Sequence, residues 1–281
     1  MPYEQLDIFS FNTPKFKIDK PIRLIEMFAG IGSQAKALKN LGVKMEHWKV
    51  IEWDKHAVAS YNAIHCTNFT PQDITQTHAT DLEIVERESY CYILTYSFPC
   101  QDLSLAGKQK GMSKGSSTRS GLLWEVERIL DECNGELPQV LLMENVPQVI
   151  GKKNIKDFQL WRSKLERLGY LNYVQLLNSK NYGIPQNRNR CFMVSILGNY
   201  HYTFPKKQPL KLKLKDMLED KVDEKYYLSE KAINGFLARN LRYAEKDNGM
   251  KFEPLERERE SCKTICARIP SGTTDNYLHD P

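Results

Sequence analysis

Short apolar segments alternate with longer amphipathic segments between residue 21 and about residue 197. The short segments indicate buried strands, and the amphipathic ones indicate helices. Strands that alternate with helices are typical of a mostly parallel sheet, because each parallel pair needs a crossover connection. We therefore predict a Rossmann-like α/β fold, a mostly parallel sheet flanked by helices, with the last two strands pairing antiparallel. The predicted strands are 22–28, 47–53, 90–97, 138–146, 173–179 and 190–196, and the predicted helices are 33–42, 54–64, 120–132 and 156–170.

The character of the chain changes near residue 200, where a basic, irregular segment begins and apolar runs become few. We predict a lead-in at residues 1–20, an α/β domain at 21–200 and a smaller region at 201–281.

Composition excludes some classes of protein. The 281 residues carry a net charge of +5, which is only weak support for a nucleic-acid partner. No apolar run is long enough for a membrane helix, and the N-terminus lacks a signal peptide, so we expect a soluble, cytoplasmic protein without a membrane partner. The seven cysteines are irregularly spaced. They form no zinc-binding pattern, so no metal site is predicted.

The motif FAGIGS joins the first predicted strand to the first helix. Gly30 and Gly32 permit a tight turn and let a ligand approach the backbone, and the helix N-terminus beyond offers free N–H groups. The motif lacks the third glycine of a dinucleotide-binding loop. Taken alone, it fits an ordinary strand–helix turn equally well.

Two carboxylates favour a nucleotide site. Glu52 ends the second predicted strand, 20 residues after Gly32, where a carboxylate can hold both ribose hydroxyls. Asp73, in PQDIT, can accept a hydrogen bond from an adenine amino group. Trp53 can cover one face of the adenine, with core packing at a strand end as the alternative. An adenosine cofactor without phosphates suits this set, and S-adenosylmethionine is the obvious candidate.

Cys100 lies in SFPCQDLSLAG, just past the third predicted strand, at the edge where open α/β sheets bind ligands. Pro99 restricts the conformation of this loop. Residues 103–120 contain glycines, serines and no acid, as expected of a loop that closes over a phosphate backbone. A buried, inert cysteine is the alternative, but the setting favours a nucleophile. The cations of the loop are Lys108, Lys110, Lys114 and Arg119.

Glu144 ends the fourth predicted strand in MENV, on the same edge of the sheet as Cys100. An acid at the end of an apolar strand is costly unless it is used or paired. In QNRNR, Gln186, Arg188 and Arg190 alternate along a predicted extended segment, which puts the arginines on one face. They are spaced to hold a base, a phosphate or Glu144 itself. A surface strip of salt bridges is the alternative.

Together these motifs resemble the DNA (cytosine-5)-methyltransferase family. The matching segments, in order, are FAGIGS, the acid of IEWD, the acid of QDIT, SFPCQDLSLAG, MENV and QNRNR. They cover residues 22–197, and PCQ followed by ENV is the most specific part.

The resemblance implies a reaction and its partners. S-adenosylmethionine would be the cofactor and double-stranded DNA the substrate. Cys100 would attack carbon 6 of a cytosine flipped out of the duplex, Glu144 would hydrogen-bond or protonate ring nitrogen 3, and Arg188 and Arg190 would hold the base. The implied cofactor-binding residues are Phe28, Gly30, Gly32, Glu52, Asp73, Ser97 and Pro99, to which the residue pattern itself adds Trp53. The implied DNA-binding residues are Gln101, Ser104, Lys108, Lys110, Arg119 and Gln186.

Two features depart from the family pattern. The glycine motif more often begins with Asp in the family, and here that position is Glu26. Residues 201–281 resemble part of a target-recognition region, and the two family motifs that follow that region are not found. The chain is therefore expected to expose apolar surface, or to need a second polypeptide that supplies those motifs.

Other functions stay open at this stage. They are methylation of cytosine in tRNA, an inactive or partner-dependent DNA-binding fragment, and a methyltransferase for small molecules. The long basic loop after Cys100 disfavours the last of these.

Overall fold

The structure is a computed structural model that describes residues 13–103, 111–116, 118–244, 252–265 and 276–279. The chain divides into two compact units, and each unit consists of two segments. The first unit is Met1–Leu176 with Arg190–Phe204, and the second is Leu177–Asn189 with Pro205–Pro281.

Eight strands and five α-helices lie in the described residues. The strands are β1 (Ile22–Met27), β2 (Met45–Ile51), β3 (Cys91–Tyr96), β4 (Val140–Asn145), β5 (Tyr170–Asn178), β6 (Gln186–Asn187), β7 (Asn189–Leu197) and β8 (Cys262–Lys263). The helices are α1 (Ser33–Asn40), α2 (Lys55–His65), α3 (Leu123–Glu132), α4 (Ile155–Arg167) and α5 (Glu230–Ala244).

Six strands form one sheet in the order β2-β1-β3-β4-β7-β5. The pairs β1–β2, β1–β3 and β3–β4 are parallel, and β4–β7 is antiparallel. The predicted mostly parallel α/β sheet flanked by helices is therefore confirmed. The sequence analysis predicted an antiparallel pair between the last two strands of the domain, β5 and β7. Strand β7 lies between β4 and β5 in the sheet, and it pairs antiparallel with β4.

Burial of the central strands and of one face of α3 accounts for the apolar pattern of the sequence. Every residue of β1 and of β3 is buried, as expected for parallel strands covered on both faces. Val126, Ile129 and Leu130 of α3 pack into the same core, and each is at most 1% exposed. These apolar positions lie three and four residues apart, which is the spacing that keeps them on one face of a helix.

The second unit is smaller. Its strands β6 and β8 pair in parallel, and its buried core consists of Leu214, Leu255 and Cys262. Residues 177–189 group with this unit, although the predicted boundary near residue 200 placed them in the α/β domain. The predicted division into a lead-in at 1–20, an α/β domain at 21–200 and a smaller region at 201–281 stays a prediction.

Within the described parts of the chain, no helix has both the length and the apolarity that a membrane crossing requires.

Candidate active site

The loops after β1, β2, β3 and β4 leave the sheet at one edge. Met27, the last residue of β1, pairs with Ile51 and with Tyr96, and Tyr96 pairs with Met143. The strands therefore end at nearly the same level. The residues that follow them carry most of the predicted site, because successive parallel strands deliver their loops to the same side.

The glycine loop after β1 has an unusual backbone. Phe28, Gly30 and Gly32 have φ angles of 56°, 55° and 79°, in the left-handed region that favours glycine. Phe28 is held there by a hydrogen bond from its N–H to the Ile51 carbonyl, 2.8 Å. A Cβ added to Gly30 would meet no described atom within 4 Å, so open space lies above this part of the loop.

The Glu52 carboxylate ties the glycine loop to the end of β2. Its Oε2 accepts from the Gly30 N–H at 2.9 Å, and its Oε1 accepts from the Asp54 N–H at 3.0 Å. Each carboxylate oxygen can accept more than one hydrogen bond, so Glu52 keeps capacity for two ribose hydroxyls. Trp53, beside it, is 69% exposed, which removes core packing as its role.

Asp73 begins the turn beyond α2. Its exposed carboxylate accepts from the N–H and the hydroxyl of Thr75, both at 2.9 Å. Arg128 of α3 supports the turn from behind, because its guanidinium donates to the carbonyls of Ile74 (3.1 Å) and Thr77 (2.7 Å). The position of Asp73 is thus set by local turn geometry and by the Arg128 side chain of α3.

These residues fit an adenosine-type cofactor. The half-buried Glu52 carboxylate, the exposed Asp73 carboxylate, the exposed Trp53 indole and an open glycine loop are present at one sheet edge. None of these groups is a cation that a phosphate group would need as its partner. Ser97, at the end of β3, accepts a hydrogen bond from the Gln34 side chain at 2.9 Å.

Glu26, the departure from the family pattern, is buried within β1 at 1% exposure. Its carboxylate accepts from the Ala35 N–H at 3.2 Å, in the first turn of α1, and from the Tyr61 hydroxyl at 2.5 Å. Burial raises the pKa of Glu26 to about 7, and the two hydrogen bonds oppose that shift only in part.

The loop that carries Cys100 is anchored by side chains from other elements. Asn145, the last residue of β4, donates from Nδ2 to the Phe98 carbonyl at 2.9 Å, and Ser120 donates from Oγ to the Pro99 carbonyl at 2.6 Å. The Cys100 carbonyl accepts from the Leu103 N–H at 3.0 Å. Cys100 itself is half-buried. The backbone before and after the thiol is therefore held in place, while the side chain stays accessible.

Asp102 fixes the start of the segment that leads into α3. Its buried carboxylate accepts from the N–H groups of Arg119 (2.9 Å) and Ser120 (3.4 Å). The Arg119 guanidinium donates to the Gln101 side chain at 2.8 Å, so two predicted DNA-binding residues bind each other here.

Part of the predicted basic loop can be placed. Ser104, Lys108 and Lys110 lie outside the described residues. Lys114 forms an ion pair with Glu127 of α3, and the Trp124 indole donates to the Met112 carbonyl at 2.7 Å. Helix α3 therefore holds the second part of the loop.

Glu144 and Arg190 form an ion pair across the β4–β7 ladder. Arg190 Nε lies 2.9 Å from Glu144 Oε1, and both side chains are largely buried. This is one of the three roles that the sequence analysis offered for the arginines.

The predicted extended segment QNRNR is divided between two strands. Strand β6 ends at Asn187 and β7 begins at Asn189, so the extended run is interrupted at Arg188. Gln186 and Arg188 belong to the second unit, whereas Arg190 belongs to the first. The change of partner explains the break, because β6 pairs with β8 and β7 pairs with β4.

Three anchoring residues were not singled out from the sequence: Asp102, Ser120 and Asn145. Only Asn145 carried a usable signal, since a polar residue inside an apolar strand must find a hydrogen-bond partner. The partners of Asp102 and Ser120 depend on how the loop folds back, which no local pattern encodes.

Known proteins identify the family. The model of the C-5 cytosine-specific DNA methylases matches residues 22–276. The chain belongs to this family. The predicted resemblance is confirmed, and the family places the protein among the S-adenosylmethionine-dependent DNA (cytosine-5)-methyltransferases.

Individual relatives agree with the family. The chain is 34% identical over 265 residues to the orphan methyltransferase M.SssI of Spiroplasma monobiae, covering 75% of this chain and 68% of that protein. It is 31% identical over 260 residues to the type II methyltransferase M.NlaX of Neisseria lactamica, covering 92% and 79%. The crystal structure of the S. pombe Dnmt2 methyltransferase has the same fold, with a TM-score of 0.67, 22% identity and coverage of 88% and 71%.

The raised pKa of Glu26 predicts that the stability of this methyltransferase depends on pH. The folded protein binds this proton more tightly than the unfolded chain, so the contribution of Glu26 to stability is full below its ordinary pKa of 4.5 and is lost as pH rises through about 7. Glu26→Gln removes this dependence. Relative to the wild type, the free energy of unfolding of Glu26→Gln should increase by up to about 3 kcal/mol between pH 4.5 and 8.

Urea denaturation of both proteins across that pH range measures the difference. The matched control is Glu88→Gln, because the Glu88 side chain is fully exposed. Its difference from the wild type should stay constant with pH. A constant difference for Glu26→Gln as well would contradict the assignment.

The Asn145 anchor predicts a defect in turnover without a defect in cofactor binding. Asn145→Asp removes the Nδ2 donor and places a carboxylate oxygen against the Phe98 carbonyl. Loss of a buried hydrogen bond of this kind should lower kcat about tenfold or more, while S-adenosylmethionine binding stays within about twofold. Steady-state methylation kinetics and calorimetric binding measure the two quantities.

Asn172→Asp is the matched control, since Asn172 donates to the Arg162 carbonyl at 3.4 Å and lies on β5 at the far edge of the sheet. An equal loss of kcat in both variants would show that the Asn145 contact has no special part in placing the cysteine loop.

Proposed function

We propose that this chain methylates carbon 5 of cytosine in double-stranded DNA through a temporary covalent bond between Cys100 and carbon 6 of a flipped base. The observation that carries the proposal is the anchored loop of Cys100 beside Glu144. Cys100 follows β3, and Glu144 is the next-to-last residue of the neighbouring parallel strand β4, at the same edge of the sheet.

The setting of Cys100 supports a nucleophile. Its loop is held at the Phe98 and Pro99 carbonyls, so the thiol is presented at a fixed place and little entropy is lost when it reacts. Two buried cysteines are unsuited to this role. Burial raises the pKa of the Cys133 thiol to about 11 and that of Cys191 to about 12, which keeps both thiols protonated and unreactive.

Glu144 and Arg190 are the polar residues that we assign to the cytosine base. The ion pair orients the Glu144 carboxyl group, and its Oε1 receives the Arg190 Nε–H. We assign Glu144 to ring nitrogen 3 of the cytosine, and Arg190 together with Arg188 to holding the base.

The Cys100 thiolate adds to carbon 6 while Glu144, carrying a proton in the reactive complex, donates that proton to nitrogen 3, so carbon 5 gains electron density. Bound S-adenosylmethionine would supply an electrophilic methyl group: carbon 5 would form a bond to the methyl as the methyl–sulfur bond breaks, and S-adenosylhomocysteine would be the leaving group. A base removes the proton from carbon 5, the bond between carbon 6 and sulfur breaks, and the nitrogen-3 proton returns to Glu144. The cysteine leaves unchanged, as covalent catalysis requires.

For the cofactor, we assign Glu52 to the ribose hydroxyls, Asp73 to the adenine amino group and Trp53 to one adenine face. The anchored carboxylates of Glu52 and Asp73 and the exposed indole of Trp53 support these roles. The remaining proposed contacts come from Phe28, Gly30, Gly32, Ser97 and Pro99.

For the DNA, we assign the phosphate and base contacts to the loop after Cys100 and to the second unit. Residues 21–200 would be the catalytic and cofactor-binding domain and residues 201–281 part of the target-recognition region. The proposed DNA contacts are Gln101, Ser104, Lys108, Lys110, Arg119 and Gln186. The named relatives are orphan and type II methyltransferases of bacteria, so we place the protein in the bacterial or phage-infected cytoplasm, within or beside a restriction–modification system.

The comparisons give no support to the expected second polypeptide. Activity of the purified chain can be tested directly.

Transfer of tritiated methyl groups from S-adenosylmethionine to mixed-sequence duplex DNA tests the proposal. The wild-type chain should label cytosine. Cys100→Ala should lower the rate by a factor on the order of 1000 or more, since removal of a covalent nucleophile affects kcat directly. Cys66→Ala is the matched control, because Cys66 is exposed and lies at the end of α2. It should keep the wild-type rate.

The other outcomes each contradict a part of the proposal. A Cys100→Ala variant with wild-type activity would exclude the covalent mechanism. Label that appears on a tRNA competitor in preference to duplex DNA would exclude the assigned substrate. A wild-type chain that binds cofactor but labels neither would show that it does not act alone.

A further inference from the structure

The glycine loop of the cofactor site lies directly on two side chains of α2. A Cβ built on Gly32 would be 2.6 Å from Cε2 of Tyr61 and closer still to Nε2 of His65. No side chain could be accommodated in that space. The backbone of the loop therefore packs against both rings, and Gly32 is required by this contact as well as by its positive φ angle.

His65 also holds the loop through a hydrogen bond. Its Nε2 lies 3.1 Å from the Ile31 carbonyl. A carbonyl can only accept, so Nε2 carries the proton and donates. The ring is buried at 7% exposure, which protects this bond from competition by water.

Tyr61 is held on both sides of its hydroxyl. It donates to Glu26 Oε2 at 2.5 Å, and Nδ1 of His47 lies 2.7 Å away. With its single proton directed at Glu26, the hydroxyl accepts from the Nδ1–H of His47. Glu26 in turn accepts from the Ala35 N–H in the first turn of α1. One chain of hydrogen bonds thus joins β2, α2, β1 and α1.

This arrangement fixes the loop at three successive places. His65 holds the Ile31 carbonyl by a hydrogen bond, and the Tyr61 ring packs against the backbone of Gly32. Glu26 holds the first turn of α1 by accepting a hydrogen bond from the Ala35 N–H. Neither Tyr61 nor His65 lies among the residues assigned to the cofactor, and both face the loop from the side of the core.

We propose that Tyr61 and His65 are positioning residues for S-adenosylmethionine, which act by fixing the backbone of the loop at Ile31 and Gly32. The proposal rests on the proposed function only in taking this loop as part of the cofactor site. It concerns binding of the cofactor, so it does not depend on which nucleic acid is methylated.

Calorimetric titration of S-adenosylmethionine into the full chain, without DNA, tests the role of Tyr61. Tyr61→Phe keeps the ring and removes the hydroxyl, and should weaken binding about fivefold, the equivalent of one hydrogen bond. Tyr170→Phe is the matched control, because Tyr170 is equally buried and its hydroxyl donates to the Pro138 carbonyl at 2.7 Å, on the β5 side of the sheet. It should bind within about twofold of the wild type.

Two substitutions of His65 test its hydrogen bond. His65→Gln retains a side-chain N–H that can reach the Ile31 carbonyl, whereas His65→Leu has a similar volume and no donor. Leu should weaken S-adenosylmethionine binding about fivefold and Gln should restore most of it. In methylation kinetics the same variants should raise KM for S-adenosylmethionine and leave kcat and KM for DNA within about twofold.

The contrary results are distinct. Wild-type affinity in Tyr61→Phe and His65→Leu, or an equal loss in Tyr170→Phe, would overturn the proposal, since the effect would then be absent or merely one of stability. A wild-type chain that binds S-adenosylmethionine but transfers no methyl group leaves the binding comparison intact and contradicts only the proposed function. A wild-type chain that does not bind it would contradict the cofactor assignment itself.

Discussion

Parallel pairing of β1, β2, β3 and β4 is the constraint on which the rest of the site depends. Strands that run the same way deliver the segments after their C-terminal ends to one edge, and the register makes these strands end at nearly the same level. The glycine loop, Glu52, the cysteine loop and Glu144 are distant in sequence and meet for this reason alone. The fold brings these segments to one edge of the sheet, and hydrogen bonds fix the conformation of each loop.

Those hydrogen bonds run mainly from side chains to loop backbone. Glu52 holds Gly30, Asn145 holds Phe98, and Ser120 holds Pro99. Loops carry many backbone groups that no strand or helix satisfies, and a side chain that pairs with one of them stabilises a single conformation. Helix α3 extends the same principle, since it supports both the Asp73 turn and the segment after the cysteine loop.

Much of this could be predicted from the sequence. Uniformly buried β1 and β3 appear as continuous apolar runs, and Cys100 and Glu144 follow such runs directly, so their shared edge follows from topology. Local patterns could not show that Asp102 folds back onto Arg119, that the chain changes strand partner at Arg188, or that Gln101 and Arg119 bind each other. Each of these depends on contacts between segments far apart in the chain, where periodicity carries no information.

The central claim is that Cys100 forms a covalent bond with carbon 6 of the cytosine. Duplex DNA in which cytosine carries fluorine at carbon 5 tests it most directly, because the final step then has no proton to remove and the adduct should persist. Mass spectrometry of the digested complex should find the nucleotide attached to the peptide that contains Cys100, and no adduct in Cys100→Ala. Methyl transfer without any adduct, or attachment at a different cysteine, would contradict the account.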